Sequence, residues 1–224
     1  MTGSVSVVIP VHNGMRYLER AVASALEQSE VAEVIVVDDE APEPVPDSVR
    51  ASHLVRVVSQ ARSGPGAARN TGVRLAKQEL VAFLDADDEW LPNKLGLQLV
   101  RLRAGGAAYS TTAFRYVVEH GVLLSEQASH AMEREQHGEI PSTLVLRRDA
   151  FFRVGPFAEN LKTAEDVEWF LRAQKQRLCQ YRVDEVLVLK RLWRGGLTSS
   201  ASGALGDLFK VLRASLRAAT PRVS

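Results

Sequence analysis

Asp85 and Asp87 are the residues of this sequence whose type and spacing most directly suggest chemistry. Two aspartates one residue apart, placed where an apolar strand ends, can direct their carboxylates toward one ligand. Mg²⁺ prefers oxygen ligands and commonly uses one or two carboxylates together with substrate phosphates. A metal held in this way neutralises a diphosphate leaving group. The alternative is a helix start, where the dipole favours Asp87, Asp88 and Glu89 in the first turn. The spacing alone leaves both interpretations open.

Polar residues also follow two other apolar segments of the first half. His12 and Asn13 come after residues 5–11, and Asp38 and Asp39 come after residues 34–37. In a parallel sheet the carboxyl ends of the strands share one edge, and ligands bind beyond that edge. We therefore expect these polar groups and the Asp85–Asp87 pair to converge. The alternative for Asp38 and Asp39 is a strand-to-loop turn, where aspartate is favoured.

Strands and helices alternate through the first hundred residues, and this alternation must position the polar groups. Continuous apolar runs favour strands buried on both faces, whereas apolar residues at helical spacing favour helices. The predicted strands are 5–9, 34–37, 54–58 and 80–84, and the predicted helices are 16–28, 67–77 and a segment around 95–102. This order predicts an α/β fold with a mostly parallel central sheet flanked by helices.

The second half has a less regular pattern. Its predicted elements are a hairpin of 107–118 with 121–124, a polar loop at 125–141, strands at 143–146 and 186–189, and helices at 149–154, 164–176 and around 205–216. Asp166 is its most notable group, and it ends the segment Thr163-Ala164-Glu165-Asp166. That segment is a helix-capping pattern, and from the residues alone capping is the favoured role of Asp166.

Composition and charge exclude several classes of protein. The 224 residues are 46% hydrophobic and 25% charged, which is typical of a globular chain. A net charge of +1 gives nucleic acid little to bind, and the single cysteine, Cys179, cannot form an internal disulfide. No apolar run approaches the roughly 18 residues that a membrane span needs, and the first residues lack a leader pattern. We therefore expect a cytoplasmic protein that does not bind nucleic acid.

The C-terminal segment is basic. From Lys190 onward the chain has seven basic residues and one acid, whereas the preceding residues include 21 basic and 26 acidic ones. The final amphipathic helix could contact a partner enzyme or the anionic inner face of a membrane, which would make the protein peripheral there. The favoured alternative is a helix packed on the domain with its basic face in solvent.

Five motifs together resemble family 2 glycosyltransferases in their order and spacing. They are residues 5–13, Tyr17-Leu18 with 24–28, 34–39, 66–72 and 81–88. The resemblance continues through 154–157 and 164–169, and so covers most of the chain. It implies a GT-A type, Rossmann-like nucleotide-sugar-binding fold with a smaller mixed acceptor region. The single domain would comprise a nucleotide-sugar half at 1–104, an acceptor half at 105–202 and the C-terminal helix at 203–224.

The resemblance also implies an activity, which is inverting transfer of a sugar from a nucleotide-sugar donor to an acceptor hydroxyl. The donor would be linked to UDP, GDP or dTDP, and the acceptor would be a glycan, a lipid-linked molecule or a small molecule. Asp166 matches the position of the general base in this family. The positions that match donor contacts are Pro10, His12, Asp38, Asp39, Arg69 and Asp85.

By the same resemblance, Asp87 would ligate Mg²⁺ or Mn²⁺ more directly than Asp85. Arg69 follows a Gly-rich loop, as a phosphate or base contact would, although a surface arginine on a helix is an equal alternative. Further candidates for diphosphate or acceptor contacts are Glu165, Trp193 and Arg194.

Two departures from the family pattern leave a second function open. Gly-Ser and another aspartate usually follow the paired aspartates, but here the residues are Glu40-Ala41-Pro42-Glu43-Pro44. Many relatives carry a histidine near the last strand, whereas residues 191–199 of this chain contain none. The alternative is therefore a catalytically degenerate glycosyltransferase-like domain that acts in binding or as a scaffold.

Overall fold

A computed structural model describes residues 4–122, 130 and 132–196 of the chain. The described residues form one eight-stranded sheet with helices packed on it. The strands are β1 (Val5–Val11), β2 (Val31–Asp39), β3 (Val55–Gln60), β4 (Leu80–Phe83), β5 (Glu89–Trp90), β6 (Tyr109–Val118), β7 (Val145–Arg147) and β8 (Gln180–Leu192). The helices are α1 (Met15–Leu26), α2 (Asp47–Arg50), α3 (Pro65–Leu75), α4 (Lys94–Arg103), α5 (Arg148–Val154) and α6 (Glu165–Lys175), with a 3₁₀ turn at Pro141–Thr143.

The strand order is β3-β2-β1-β4-β7-β6-β8-β5. Strands β1 to β4 pair only in parallel with one another, because each connection between them crosses the sheet before the next strand begins. The chain runs outward from β1 through β2 to β3 and then returns to place β4 on the other side of β1. The order therefore reverses between β1 and β4, and such a switch point is where open α/β sheets bind ligands.

The second half of the chain makes the sheet mixed. Strand β7 is antiparallel to both β4 and β6, β6 is parallel to β8, and β5 is antiparallel to β8. The predicted α/β class is confirmed, with the parallel strands in the first half and a smaller mixed region after them. Because β4 pairs with β7, strands from both halves belong to one continuous sheet.

Apolar side chains cover both faces of the sheet, as strands with continuous apolar runs require. Helices α1 and α4 pack over one face, and α3, α5 and α6 pack over the other. Helix α3 lies especially close to β1, because a Cβ at Gly72 would lie 2.2 Å from Cγ1 of Val8. This close packing holds the start of α3, and thus Arg69, near the carboxyl end of β1.

Several predicted elements differ from the observed ones. Strand β8 begins at Gln180 rather than at 186, and in the described part of the chain β6 pairs with β7 and β8. Part of that predicted hairpin and the whole C-terminal helix at 203–224 lie outside the described residues. Among the described helices, none combines the length and apolar character needed to cross a membrane.

Candidate active site

A cavity of about 670 Å³ opens at the carboxyl ends of β1, β2 and β4, beside the switch point. Its lining includes residues from the first half and, from the second, residues 159–162, Lys190, Trp193 and Gly196. The predicted site residues that line it are Pro10, His12, Asp39, Arg69, Asp85, Asp87 and Trp193. The predicted convergence of strand ends on one site therefore holds for β1, β2 and β4.

Asp85, Asp87 and Asp88 form what we call the acidic turn, which connects β4 to β5. One carboxylate oxygen from each lies within 4.8 Å of the others, and the N–H of Asp88 closes the turn on the carbonyl of Asp85 at 3.0 Å. The helix alternative is wrong, because the next helix, α4, begins only at Lys94. The turn thus presents three carboxylates without a helix dipole to explain them.

Asp88 anchors this turn to the second half of the chain. Its Oδ2 accepts the hydroxyl of Ser142 at 2.6 Å, and its Oδ1 accepts the backbone N–H of Arg191 at 3.0 Å. The Ser142 hydroxyl also accepts the N–H of Asp85 at 3.1 Å. Burial raises the pKa of Asp88 to about 7. These contacts engage both oxygens of Asp88, which is outside the cavity lining, whereas Asp85 and Asp87 line the cavity.

Asp87 is oriented by Trp193, whose indole N–H donates to Oδ2 at 2.7 Å. The Trp193 ring in turn packs edge-on against Tyr17, with the centroids 5.4 Å apart. Gly14 lies beside this arrangement, and its φ of +80° favours glycine there. Burial, and then the charge of Asp85, raise the pKa of Asp87.

Arg69 joins the acidic turn to helix α6. It is 4% exposed, and its guanidinium pairs with Asp85 Oδ1 and with Glu165 Oε1, each at 2.6 Å. The surface-arginine alternative is therefore wrong. Burial alone would raise the pKa of Asp85, but the charges of Arg69 and Lys190 outweigh it and hold that pKa below its usual value.

Asp166 lies one residue beyond Glu165 in the first turn of α6. The residue before the helix is Ala164, with φ +62° and no side-chain cap, so Thr163 and Asp166 do not take the positions of a capping box. The Asp166 carboxylate accepts the N–H of Val167 at 2.8 Å. Burial raises the pKa of Asp166, although the charge of Arg69 opposes the shift. Asp166 is thus electrostatically linked to Arg69 and Asp85 but is not part of the cavity lining.

Lys190 is a site residue that the sequence analysis did not identify. It lies on β8, lines the cavity, and places Nζ 3.5 Å from Asp85 Oδ2 and 3.4 Å from Asp88 Oδ2. Burial opposes its charge, but the three carboxylates of the acidic turn raise its pKa above the usual value. The available signal was a lysine next to the apolar residues 186–189 of a strand, where an unpaired charge would be costly.

The opposite part of the cavity is formed by Asp39 and His12. The Asp39 carboxylate accepts N–H groups from Gln60 at 2.8 Å, Ser63 at 2.9 Å and Gly64 at 2.8 Å, so it holds the loop before α3. His12 Nδ1 lies 2.9 Å from the carbonyl oxygen of Asp39. Since a carbonyl only accepts, Nδ1 carries the proton, and Nε2 of the neutral ring is an acceptor.

Three other predicted residues, Asp38, Glu165 and Arg194, do not line the cavity, and Glu165 pairs with Arg69 instead. Asp38 Oδ1 accepts the N–H of Ala41 at 2.8 Å, which is the strand-to-loop turn considered as its alternative. Arg194 is exposed. Asn70 acts in packing, because its amide clamps the backbone N–H and carbonyl of Phe157, both at 2.9 Å, and so fixes the segment that leads to α6.

The charge balance of the site favours a bound cation. Five carboxylates, from the acidic turn, Glu165 and Asp166, surround two cations, the buried Arg69 and the partly buried Lys190. The side-chain atoms that the acidic turn offers as metal ligands are carboxylate oxygens, which suit hard divalent ions such as Mg²⁺ and Mn²⁺. The residues present therefore fit a divalent ion next to Asp85 and Asp87.

Comparison with known proteins identifies one family model, described as glycosyl transferase family 2, which matches residues 6–164. An uncharacterized glycosyltransferase of Rickettsia bellii is 30% identical over 172 residues, which are 72% of this chain but only 25% of that protein. A putative teichuronic acid biosynthesis glycosyltransferase of Bacillus subtilis, TuaG, is 28% identical over 88% of this chain and 82% of its own length. This chain thus spans about a quarter of the first relative and most of the second.

Two solved structures share the fold. Residues 1–349 of S. aureus TarS in complex with UDP-GlcNAc superpose with a TM-score of 0.76 at 22% identity, over 95% of this chain and 65% of that one. The mannosyltransferase PcManGT from Pyrobaculum calidifontis, in complex with GDP-Man and Mn²⁺, gives a TM-score of 0.74 at 18% identity, over 97% and 65%. At these identities the likeness establishes the GT-A architecture.

Proposed function

Since this chain belongs to glycosyl transferase family 2, we propose that it moves a sugar from a nucleoside-diphosphate donor to an acceptor hydroxyl, with inversion at the anomeric carbon. One observation carries the proposal. A single cavity at the switch point of the sheet is lined by the strand ends expected to hold a nucleoside and by the carboxylates expected to hold a metal–diphosphate. The TarS and PcManGT complexes, which contain UDP-GlcNAc and GDP-Man, support a nucleotide-sugar donor.

The nucleoside would lie against Pro10, His12 and Asp39. His12 Nε2 offers an acceptor, and Asp39 Oδ2 retains capacity for a second hydrogen bond beyond the one from Gly64. Because Asp39 also holds residues 60–64, binding a base there would order the loop that precedes Arg69. UDP, GDP and dTDP donors all remain candidates for this position.

Asp87, with Asp85, would hold Mg²⁺ or Mn²⁺. When bound, such an ion neutralises charge that develops on the departing diphosphate. Asp87 is the stronger candidate ligand, since Arg69 and Lys190 already neutralise Asp85 whereas burial leaves Asp87 with a raised pKa. Trp193 keeps the Asp87 carboxylate oriented through its indole N–H.

Asp166 would act as the general base. The acceptor oxygen attacks the anomeric carbon, its proton passes to the Asp166 carboxylate, and the nucleoside diphosphate leaves from the opposite face with the bonding electron pair. A raised pKa makes this carboxylate a stronger base than an exposed aspartate. Glu165 would position it, because the Glu165–Arg69 ion pair fixes the first turn of α6.

The acceptor would approach from the second half of the chain, where residues 159–162 line the cavity. We propose that the described residues constitute one catalytic domain, in which the first half binds the donor and the second supplies the base and the acceptor surface. The acceptor class, whether glycan, lipid-linked or small molecule, and any contact of the basic C-terminal segment with a membrane or a partner enzyme are further parts of this proposal.

The activity can be tested without knowing the acceptor. The protein is incubated with UDP-, GDP- and dTDP-linked sugars and Mn²⁺, and mass spectrometry scores the free sugar released by slow hydrolysis. Asp87→Asn should lower release by roughly a hundredfold or more, since it removes a charge at the leaving group. Asp166→Asn should abolish transfer once an acceptor is found, because the base is lost. Both variants should keep the parent circular dichroism spectrum.

Two outcomes would contradict the proposal. Release at the parent rate by Asp87→Asn would remove the acidic turn from the reaction. If calorimetry with UDP, GDP and dTDP in Mn²⁺ detected nucleotide binding but no donor were hydrolysed or transferred, the degenerate binding or scaffold alternative would be favoured instead.

A further inference from the structure

The Lys190 ammonium lies against the carboxylates of the acidic turn. Its side chain is 14% exposed, comes from the last described strand, and reaches the cavity between Asp85 and Asp88. At 3.5 and 3.4 Å, both contacts are longer than the 2.7–2.9 Å that is common for charge-assisted hydrogen bonds. The ammonium is thus held by the field of the turn and is not locked to one carboxylate.

The other cations that line the cavity differ from Lys190. Arg69 is committed to Asp85 and Glu165 through two contacts of 2.6 Å. Arg62 and Lys162 line the cavity from exposed positions. Among the described cavity cations, Lys190 alone is both partly buried and held by long contacts, so it can turn toward an anion without breaking a short ion pair.

We propose that Lys190 is a built-in cation of the donor site, whose ammonium binds the diphosphate beside the divalent ion and thereby lowers the dependence of nucleotide binding on that ion. This inference rests on the proposed function of the cavity. Two consequences follow from charge. The ammonium competes with a divalent ion for the same carboxylates, and it supplies part of the positive charge when that ion is absent.

The first consequence is tested with the metal alone. Mn²⁺ binding to the unliganded protein is followed by electron paramagnetic resonance for the parent, Lys190→Met, Lys190→Arg and the distant exposed control Lys77→Met. Lys190→Met should bind Mn²⁺ roughly tenfold more tightly than the parent, because the acidic turn regains one negative charge. Lys190→Arg and Lys77→Met should remain within about threefold of the parent.

The second consequence is tested with nucleotide. Whichever of UDP, GDP and dTDP binds most tightly in Mn²⁺ is titrated by calorimetry into each variant in EDTA. The parent should retain measurable binding in EDTA, and Lys190→Met should lose roughly ten- to a hundredfold of it, which is typical of one hydrogen bond to a charged group. Lys190→Arg should retain most of that binding, and thermal melts report whether each variant is folded.

Failure of the inference is distinguishable from failure of the proposed function. If the parent binds nucleotide in Mn²⁺ but not in EDTA, Lys190 is only a structural counter-ion and the inference is wrong, while the proposed function stands. Equal binding in EDTA by the parent and a folded Lys190→Met leads to the same conclusion. If no nucleotide binds under either condition, both are wrong. Absence of parent binding in EDTA overturns the inference even if Lys190→Met does not fold.

Discussion

At the scale of single residues, the site depends on side chains that hold other side chains. Asp85 and Asp87 are the carboxylates that face the cavity, but Ser142, Arg69 and Trp193 fix where they point. Contacts of this kind commonly change metal affinity by about ten- to a hundredfold when they are removed. The geometry of the acidic turn is therefore a property of three distant segments as much as of the turn itself.

Trp193 provides the clearest residue-scale prediction. Trp193→Phe keeps an aromatic ring but removes the donor to Asp87 Oδ2, so the carboxylate loses its fixed orientation. We expect Mn²⁺ affinity, measured by electron paramagnetic resonance, to fall roughly tenfold or more. The matched control is Tyr17→Phe, which keeps the ring against the indole and removes only the hydroxyl that donates to Glu119. Equal Mn²⁺ affinity of Trp193→Phe and the parent would show that the indole does not orient Asp87.

The sequence allowed prediction of those site residues that are close together along the chain. The Asp85–Asp87 pair and Asp39 lie at the ends of apolar runs, and such local patterns can be found without a structure, although the same pattern also pointed to Asp38, which lies outside the cavity lining. Lys190 and Ser142 could not be placed in this way. Each meets Asp88 across more than fifty residues of chain, through pairing and packing that no local pattern specifies.

At the scale of elements, the same contrast separates the two halves. Strands β1, β2 and β4 are continuous apolar runs and helix α1 has apolar residues at helical spacing, and these elements and α3 were each predicted within a few residues of their bounds. Strand β8 was predicted too short because Arg182, Asp184 and Glu185 are exposed and interrupt its apolar run. Strand β5 has two residues, which is too few for any periodicity.

Helix α4 contains a buried polar network that ties it to the sheet. Lys94 is fully buried, donates to Gln98 Oε1 at 2.8 Å and lies over the Trp90 ring at 4.2 Å. The Gln98 amide donates to the carbonyl of Thr143 at 2.9 Å. These contacts include no carboxylate partner for Lys94, and burial lowers its pKa well below the usual value.

Replacement of Lys94 should therefore stabilise the fold in a pH-dependent manner. Lys94→Met keeps the length of the side chain and removes a buried amine, so the free energy of unfolding at pH 7 should rise by about 1–2 kcal/mol. The folded pKa lies below the unfolded value, so the unfolded state binds more protons and the parent gains stability as pH rises toward 10.5. Urea unfolding at pH 7 and pH 10 should show the difference between variant and parent shrinking at the higher pH. A variant less stable than the parent at pH 7 would indicate that Lys94 contributes more to packing than its charge costs.

At the scale of the whole molecule, one sheet joins the half proposed to bind the donor to the half that carries Asp166. Pairing of β4 with β7 makes that connection through the backbone. Arg69 makes a second connection through side chains, since it binds Asp85 of the first half and Glu165 of the second. The proposed base and the proposed metal ligands are therefore held in register by a continuous sheet and by a buried ion triad.

Arg69→Gln tests whether these connections make one cooperative unit. The substitution leaves Asp85 and Glu165 without their shared partner, and removing one member of a buried ion pair commonly costs about 3–5 kcal/mol. The matched control, Arg20→Gln, breaks the exposed pair with Glu89 and should cost less than about 1 kcal/mol.

Because both halves contribute strands to the sheet, unfolding in urea should remain a single transition for both variants, with tryptophan fluorescence and far-ultraviolet circular dichroism coinciding. The three tryptophans are at positions 90, 169 and 193, so fluorescence reports on the acidic-turn side and the second half, whereas circular dichroism reports on every helix and strand. If fluorescence changed at a lower urea concentration than circular dichroism in Arg69→Gln, the second half would be unfolding on its own, and Arg69 rather than the sheet would be what couples the proposed base to the proposed donor site.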